Sequence, residues 1–264
     1  MPKLITPGAK TALITGASSG IGRALSFELA ARGYELILAA RSAKGLAETS
    51  WEIETRYGIH AWCLPLDLER PEAPEKLFDQ VRRQKRTVDI LVNNAGLGAS
   101  GKYAHAPWHA QETMLQVNIR ALARLTHLFL PAMIARKRGK ILNVGSTGSF
   151  APMPNLAVYG ATKAFVLSFS EALSTELAGT GVSVTALCPG PTATQFAQRA
   201  QMEDTLAFRM TVLTPEAVAQ AGVRALFRGR KRVVPGLVNK LTLAFVRLAS
   251  RNLVLRVSKR LMLP

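Results

Sequence analysis

The sequence predicts a doubly wound, Rossmann-like α/β fold with about seven parallel strands, on three observations. From Thr11 onward, short runs rich in Val, Ile, Leu and Ala alternate with helical stretches, the pattern of a parallel sheet covered on both faces. Within those runs apolar and polar residues scarcely alternate, so each strand is buried on both sides. A glycine-rich turn, TGASSGIG at residues 15–22, follows the first run and opens the first helix, where a tight turn and a close backbone approach are wanted.

Taken in order, TALIT (11–15) is the first strand, followed by the helix GRALSFELAARG. YELILAA (34–40) is the second strand, then a helix through Trp51 to Tyr57, then the strand IHAWCLPL, which Asp67 ends. A helix over Pro74 to Arg86 and the strand VDILVNN come next, then two helices around 107–118 and 119–136, and the strand KILNVGS. The stretch from Asn155 to Thr175 is a helix, VSVTALCPG a strand, Pro215 to Phe227 the next helix and RVVP a short edge strand. In such a sheet ligands bind outside the carboxyl ends of the strands, and the motifs below fall at such ends.

The 264 residues, 48% of them hydrophobic, suffice for one sizeable core. A single domain is expected over residues 1–236, with a basic tail over 237–264. Cys63 and Cys188 sit in apolar runs without metal or redox spacing and are expected to be buried thiols in a reducing compartment. His60, His105, His109 and His127 have no metal-ligand spacing, so no metal is expected. Lys10, Pro7 and Gly8 interrupt any secretory signal, and no apolar run reaches the roughly 18 residues of a membrane span. A cytoplasmic location, free or on a membrane face, is expected.

Tyr159 and Lys163 stand one turn apart on one helix face. A cation beside a phenol favours the phenolate, so the pair is expected to lower the tyrosine pKa toward working pH and make it a proton donor or acceptor. A surface helix holding one Tyr and one Lys would show the same spacing. In the glycine turn, Gly16, Ser18, Ser19, Gly20 and Ile21 are placed to meet a pyrophosphate, since a helix N-terminus offers free N–H groups and positive partial charge. An NAD-preferring site would want an acid at the end of the second strand, where this chain has Ala39, Ala40 and Arg41. Arginine suits a 2′-phosphate, so NADP is the expected cofactor, with Arg41 and Ser42 on the phosphate; a solvated arginine is the alternative. Asp67, followed by Leu68, is placed either to accept a bond from an adenine amine or to cap the next helix.

With TGASSGIG, NNAG at 93–96, Asn118, Ser146, YGATK at 159–163 and PGPTAT at 189–194 in that order, the chain resembles the short-chain dehydrogenase/reductase family over residues 10–230. The stretch VYGATKAFVLSFSEALSTEL and the basic tail are similar to the branch that includes DltE-like oxidoreductases and membrane-associated 3-oxoacyl-CoA and 17β-hydroxysteroid enzymes. The resemblance implies a tetrad of Asn118, Ser146, Tyr159 and Lys163. Tyr159 would exchange a proton with the carbonyl or alcohol oxygen, Ser146 would hold that oxygen, and Lys163 would bind the nicotinamide ribose. Asn118 would bend a helix and position a water. Asn94, Ala95 and Gly96 would line the adenosine and ribose side, Asn93 would tie strands together, and Pro189, Gly190, Thr192 and Thr194 would run beside the nicotinamide amide. The implied function is reversible NADPH-dependent reduction of an apolar ketone or aldehyde by a homodimer or homotetramer. Two other readings stand beside it: a catalytically silent NADP-binding scaffold or redox sensor, and an adaptor working through the tail.

The family's specificity loops here carry Phe150, Met153, Phe196, Met202, Leu206, Phe208 and Met210, which suit an apolar pocket or the core. Arg199 and Arg209 suit an anionic substrate group or a solvated face. All 17 acidic residues lie at or before Glu216, whereas 11 of the basic ones follow it. Such asymmetry points to an anionic partner. The segment 237–251 is expected to form one amphipathic helix with Lys240, Arg247 and Arg251 on one face and Leu241, Phe245 and Leu248 on the other. A membrane surface, the chain's own domain or a second subunit would each suit it; nucleic acid does not, because tail aromatics are scarce and no reading motif is present.

Overall fold

A computed structural model of the chain describes residues 10–195 and 212–261. Its centre is a seven-stranded parallel sheet in the order β3-β2-β1-β4-β5-β6-β7. The strands are β1 (Thr11–Thr15), β2 (Glu35–Ala40), β3 (Ala61–Pro65), β4 (Val88–Asn93), β5 (Gly139–Val144), β6 (Val182–Leu187) and the two-residue edge strand β7 (Arg232–Val233). The helices are α1 (Gly20–Ala30), α2 (Ala43–Tyr57), α3 (Ala73–Arg83), α4 (Trp108–Leu115), α5 (Leu122–Ala135), α6 (Ala157–Glu176), α7 (Pro215–Phe227), α8 (Leu237–Leu248) and α9 (Arg251–Leu261).

Successive strand residues point to opposite faces, which divides the core in two. On one face Ile14, Leu36, Leu38 and Val92 meet Leu25 and Leu29 of α1, Ile53 of α2 and Val223 of α7. On the other, Leu13, Ile37, Leu91 and Ile141 meet Leu77 of α3, Phe129 and Met133 of α5 and Leu173 of α6. The two-sided burial explains why the strands read as unbroken apolar runs. Strand order reverses between β1 and β4, both at the sheet's centre, and a crevice opens there beyond the strand ends.

Several expected boundaries move. The first two strands end where expected, the later ones one to three residues short of their runs, and the two helices expected over 107–118 and 119–136 are one continuous helical run. Its join is a single π-helical turn, Gln116–Ala121, centred on Asn118; such insertions mark functional sites. The tail helix stops at Leu248, where Ala249 takes an extended conformation (ψ 149°). Arg251 therefore opens α9 and does not share a face with Lys240 and Arg247. Among the described residues no helix is long and apolar enough to cross a membrane. Cys188 is buried as expected, whereas Cys63 is only half-buried and donates to the Leu46 carbonyl.

Candidate active site

At the carboxyl ends of the strands lies a cleft of about 810 Å³. Its walls hold every residue expected to touch a cofactor, from Gly16 and the serines after it to Thr194, together with Ser146, Tyr159 and Lys163. Asn118 is not among the lining residues.

The glycine turn is shaped by two left-handed positions, Gly16 (φ 67°) and Gly20 (φ 53°), which side chains would strain. Ser19 caps α1 in extended geometry, and its side chain makes no capping bond. The first-turn N–H groups are thus left for an anion. A Cβ at Gly22 would stand 2.2 Å from the Gly16 carbonyl oxygen and 2.3 Å from Asn94 Nδ2, so hydrogen alone lets α1 sit this close to the turn. Thr15 holds the two loops together: its Oγ1 accepts the Asn94 and Ala95 N–H groups, each at 3.1 Å. Asn94 Nδ2 returns bonds to the carbonyls of Thr15 and Gly16. Asn93 ties strands as expected, donating to Asn143 Oδ1 at 2.9 Å and Thr126 Oγ1 at 3.0 Å.

At the β2 end Arg41 is half-exposed and paired with Glu69. Ser42 caps α2 by accepting the Gly45 N–H at 3.0 Å, so its oxygen is already engaged. Lys44, which the sequence reading passed over, also lines this mouth. Asp67 Oδ1 accepts the Glu69 N–H at 3.1 Å, a turn bond; α3 starts later, with Glu72 as its N-cap, so Asp67 does not cap that helix.

Ser146 follows β5 and caps a short 3₁₀ turn, Thr147–Phe150, through reciprocal bonds with Gly148 and Ser149. That fixes its hydroxyl on the side of the Tyr159 phenol, whose pKa it lowers. Tyr159 is buried against Met114 and Leu156. Burial pushes its pKa up to about 12, with the Ser146 hydroxyl acting the other way. Lys163 is buried too, donating from Nζ to the Val144 carbonyl at 2.9 Å, and burial brings its pKa down to about 8. The expected lowering of the phenol pKa by the lysine is therefore not what this cleft shows. Desolvation dominates, and Nζ lies 5.8 Å from the phenol ring centre, turned to a carbonyl.

Asn118 sits behind the cleft wall. Its amide pairs with both backbone groups of Leu97, accepting at 2.8 Å and donating at 2.9 Å, and donates to Thr162 Oγ1 at 3.0 Å. Thr162 in turn donates to the Tyr159 carbonyl at 2.7 Å. The π turn thus holds the Leu97 loop and α6 in one bonded unit. A Cβ at Gly96 would meet Lys163 Nζ at 3.3 Å, so this glycine lets the loop close over the lysine.

The Pro189–Thr194 loop is held by the Thr147 N–H, which donates to the Pro189 carbonyl at 2.8 Å, and by Thr192 Oγ1, which donates to the Gly190 carbonyl at 2.9 Å. Behind Gly190 stands the buried Asn239 of α8, which a Cβ would approach to 2.5 Å. Nothing in the tail's charge pattern pointed to that contact. Of the expected pocket residues Met153 lines the cleft, while Phe150 packs with Leu167 and Cys188 in a separate cluster. Phe196, Arg199, Met202, Leu206, Phe208, Arg209 and Met210 lie outside the described residues. Among the described residues no group of three or more His, Cys, Asp and Glu side chains is placed to hold a metal.

Comparison with known proteins agrees with this geometry. The family model for short chain dehydrogenase matches residues 10–205. Sulfoacetaldehyde reductase 2 of Chromohalobacter salexigens is 40% identical over 189 residues, covering 70% of this chain and 73% of the relative. A very-long-chain 3-oxoacyl-CoA reductase of Laccaria bicolor is 37% identical over 177 residues, 66% of this chain but only 52% of that protein, so the chain spans about half of it. Among solved structures, a short-chain dehydrogenase from Sphingobium yanoikuyae in complex with NADPH superposes with a TM-score of 0.81 at 32% identity, covering 90% of this chain and 94% of the other.

Proposed function

The chain belongs to the short chain dehydrogenase family, and on that premise we propose that it is an NADPH-dependent reductase of ketone or aldehyde carbonyls, running in reverse as an alcohol dehydrogenase. The observation that carries the reading is the meeting of Tyr159, Ser146 and Lys163 in one cleft with the uncapped glycine turn.

The residues present fit the dinucleotide. The first turn of α1 offers free N–H groups to the pyrophosphate, and Gly16 and Gly20 keep the approach open. Arg41 stands where an acid would favour the 2′-hydroxyl. Lys163 Nζ can hold the nicotinamide ribose, with the Asn94–Gly96 loop beside it. Bound NADPH would supply the hydride to the carbonyl carbon.

The chain's own residues manage the proton. With its pKa near 12, the Tyr159 hydroxyl is fully protonated at neutral pH and acts as the acid, giving its proton to the carbonyl oxygen. Ser146 Oγ holds that oxygen and stabilises the charge developing on it. In the oxidative direction Tyr159 must accept the proton. The Lys163 ammonium, which persists below a pH of about 8, is turned to the Val144 carbonyl, so the Ser146 hydroxyl is the group here that lowers the phenol's pKa. Asn118 acts as a positioning residue, through Leu97 and Thr162.

NADPH consumption over a panel of small-aldehyde, acyl, steroid and quinone carbonyls tests the reading. Turnover of at least one class is expected; tight NADPH binding with none turned over would favour a scaffold or sensor. The cofactor preference has its own test. Arg41→Ala is expected to weaken NADPH binding by about 10- to 100-fold, the worth of a lost charge-assisted hydrogen bond, and to leave NADH binding unchanged. Equal losses for both nucleotides in a titration would remove Arg41 from the 2′-phosphate.

A further inference from the structure

We propose that α8 and α9 form a docking surface for anionic phospholipid bilayers, lying in the headgroup layer with their apolar side chains inserted. α8 turns Asn239 inward and partly buries Leu243 and Val246. The opposite side is a row of large apolar residues facing solvent: Leu237 is 70% exposed, Leu241 63% and Leu248 89%, with Val238 and Phe245 beside them. In α9, Leu253 and Val257, one turn apart, are also exposed. A contiguous apolar face of this kind, left open on a folded domain, marks an interaction surface.

Charge selects the partner. Lys240, Arg247, Arg251, Arg256, Lys259 and Arg260 flank these apolar rows, and no acidic residue follows Glu216. Among the described residues none of the six is in an ion pair. The chain's own domain does not cover the face, since α8 already docks through its other side. A symmetric contact with a second copy would bring this cationic patch onto itself, whereas an anionic headgroup layer complements it and accepts the apolar row beneath. Long Lys and Arg stems suit that depth, keeping their charges among the headgroups. Because Asn239 on the inner side of α8 backs Gly190 of the cleft, the docked helix would hold the cleft wall beside the lipid.

The test is co-sedimentation of the full chain with phosphatidylcholine vesicles and with vesicles in which part of that lipid is replaced by phosphatidylglycerol. Truncating the tail would remove Asn239 and disturb the cleft, so point variants serve better. The full chain is expected to bind the anionic vesicles at least about tenfold more tightly than the neutral ones, and less as salt is raised. The triple variant Leu241→Glu, Phe245→Glu and Leu248→Glu is expected to lose that binding while keeping thermal stability and NADPH affinity. Equal partitioning of wild type and variant, or no binding to either vesicle, would overturn the proposal. So would a variant that binds vesicles normally but changes its mass by light scattering, which would make the face an interface between copies.

Discussion

Replacing Tyr159 by Phe is expected to slow single-turnover NADPH oxidation by about 10²- to 10⁴-fold, the usual worth of a positioned general acid, with NADPH affinity little changed. The ring's apolar contacts with Met114 and Leu156 survive the change, so the fold is not challenged. What goes is the hydroxyl beside Ser146, and with it the only proton source assigned to the carbonyl oxygen. Ser146 and the rest of the cleft remain, which leaves a residual rate. Stopped-flow absorbance and a fluorescence titration of NADPH separate the two quantities; a parallel fall in affinity and rate would mean that the variant had damaged the cofactor site.

Lys163→Met is expected to cost comparable activity, to weaken NADPH binding, and to alter how stability depends on pH. The lysine titrates near 10.5 when unfolded and near 8 in the fold. Below both values each state is protonated and burial of the charge weighs fully against folding. Between them the unfolded chain binds the extra proton, so stability rises with pH. Cys188 opposes this. Its pKa is pushed up by burial to about 12 from an ordinary 9.0, so above pH 9 the folded state keeps a proton that the unfolded one loses, and stability falls. Cys63, raised by burial, acts in the same sense, and Tyr159 joins above 10. The net gain is confined to pH 8–9, at roughly 1 kcal/mol for one proton over one pH unit. Urea unfolding of the cofactor-free protein at stepped pH should show that rise in the wild type and a flat response in Lys163→Met. A rise in both would assign it to another group.

The fold was legible because the sheet is buried on both faces. Runs such as ELILAA and VDILVN are short, apolar and bounded by turn residues, which marks buried strands, and Gly16, Gly20, Gly33 and Gly58 sit where left-handed backbone is required. The gathering of the site was legible for a related reason: in a parallel sheet every strand's carboxyl end faces the same crevice, so motifs at those ends must meet. Contacts between distant segments were not legible. Asn118 was expected to bend a helix and does lie in a π turn, but its bonds to Leu97 and Thr162, which lock the Leu97 loop to α6, were not foreseen. Asn239, which carried no sequence signal of its own, stands behind Gly190. The phenol's acidity was misread because spacing gives the lysine's proximity but not the desolvation that outweighs it. The apolar row on α8 was visible in the pattern, whereas its outward direction needed the structure.

The central claim is that the Tyr159 hydroxyl gives its proton to the substrate oxygen in the step that consumes NADPH. Single-turnover NADPH oxidation in light and heavy water, for wild type and Tyr159→Phe with a carbonyl that the wild type reduces, tests it most directly. A wild-type rate slowed by heavy water and a variant slower by at least about 10²-fold are expected. A variant as fast as the wild type would contradict it.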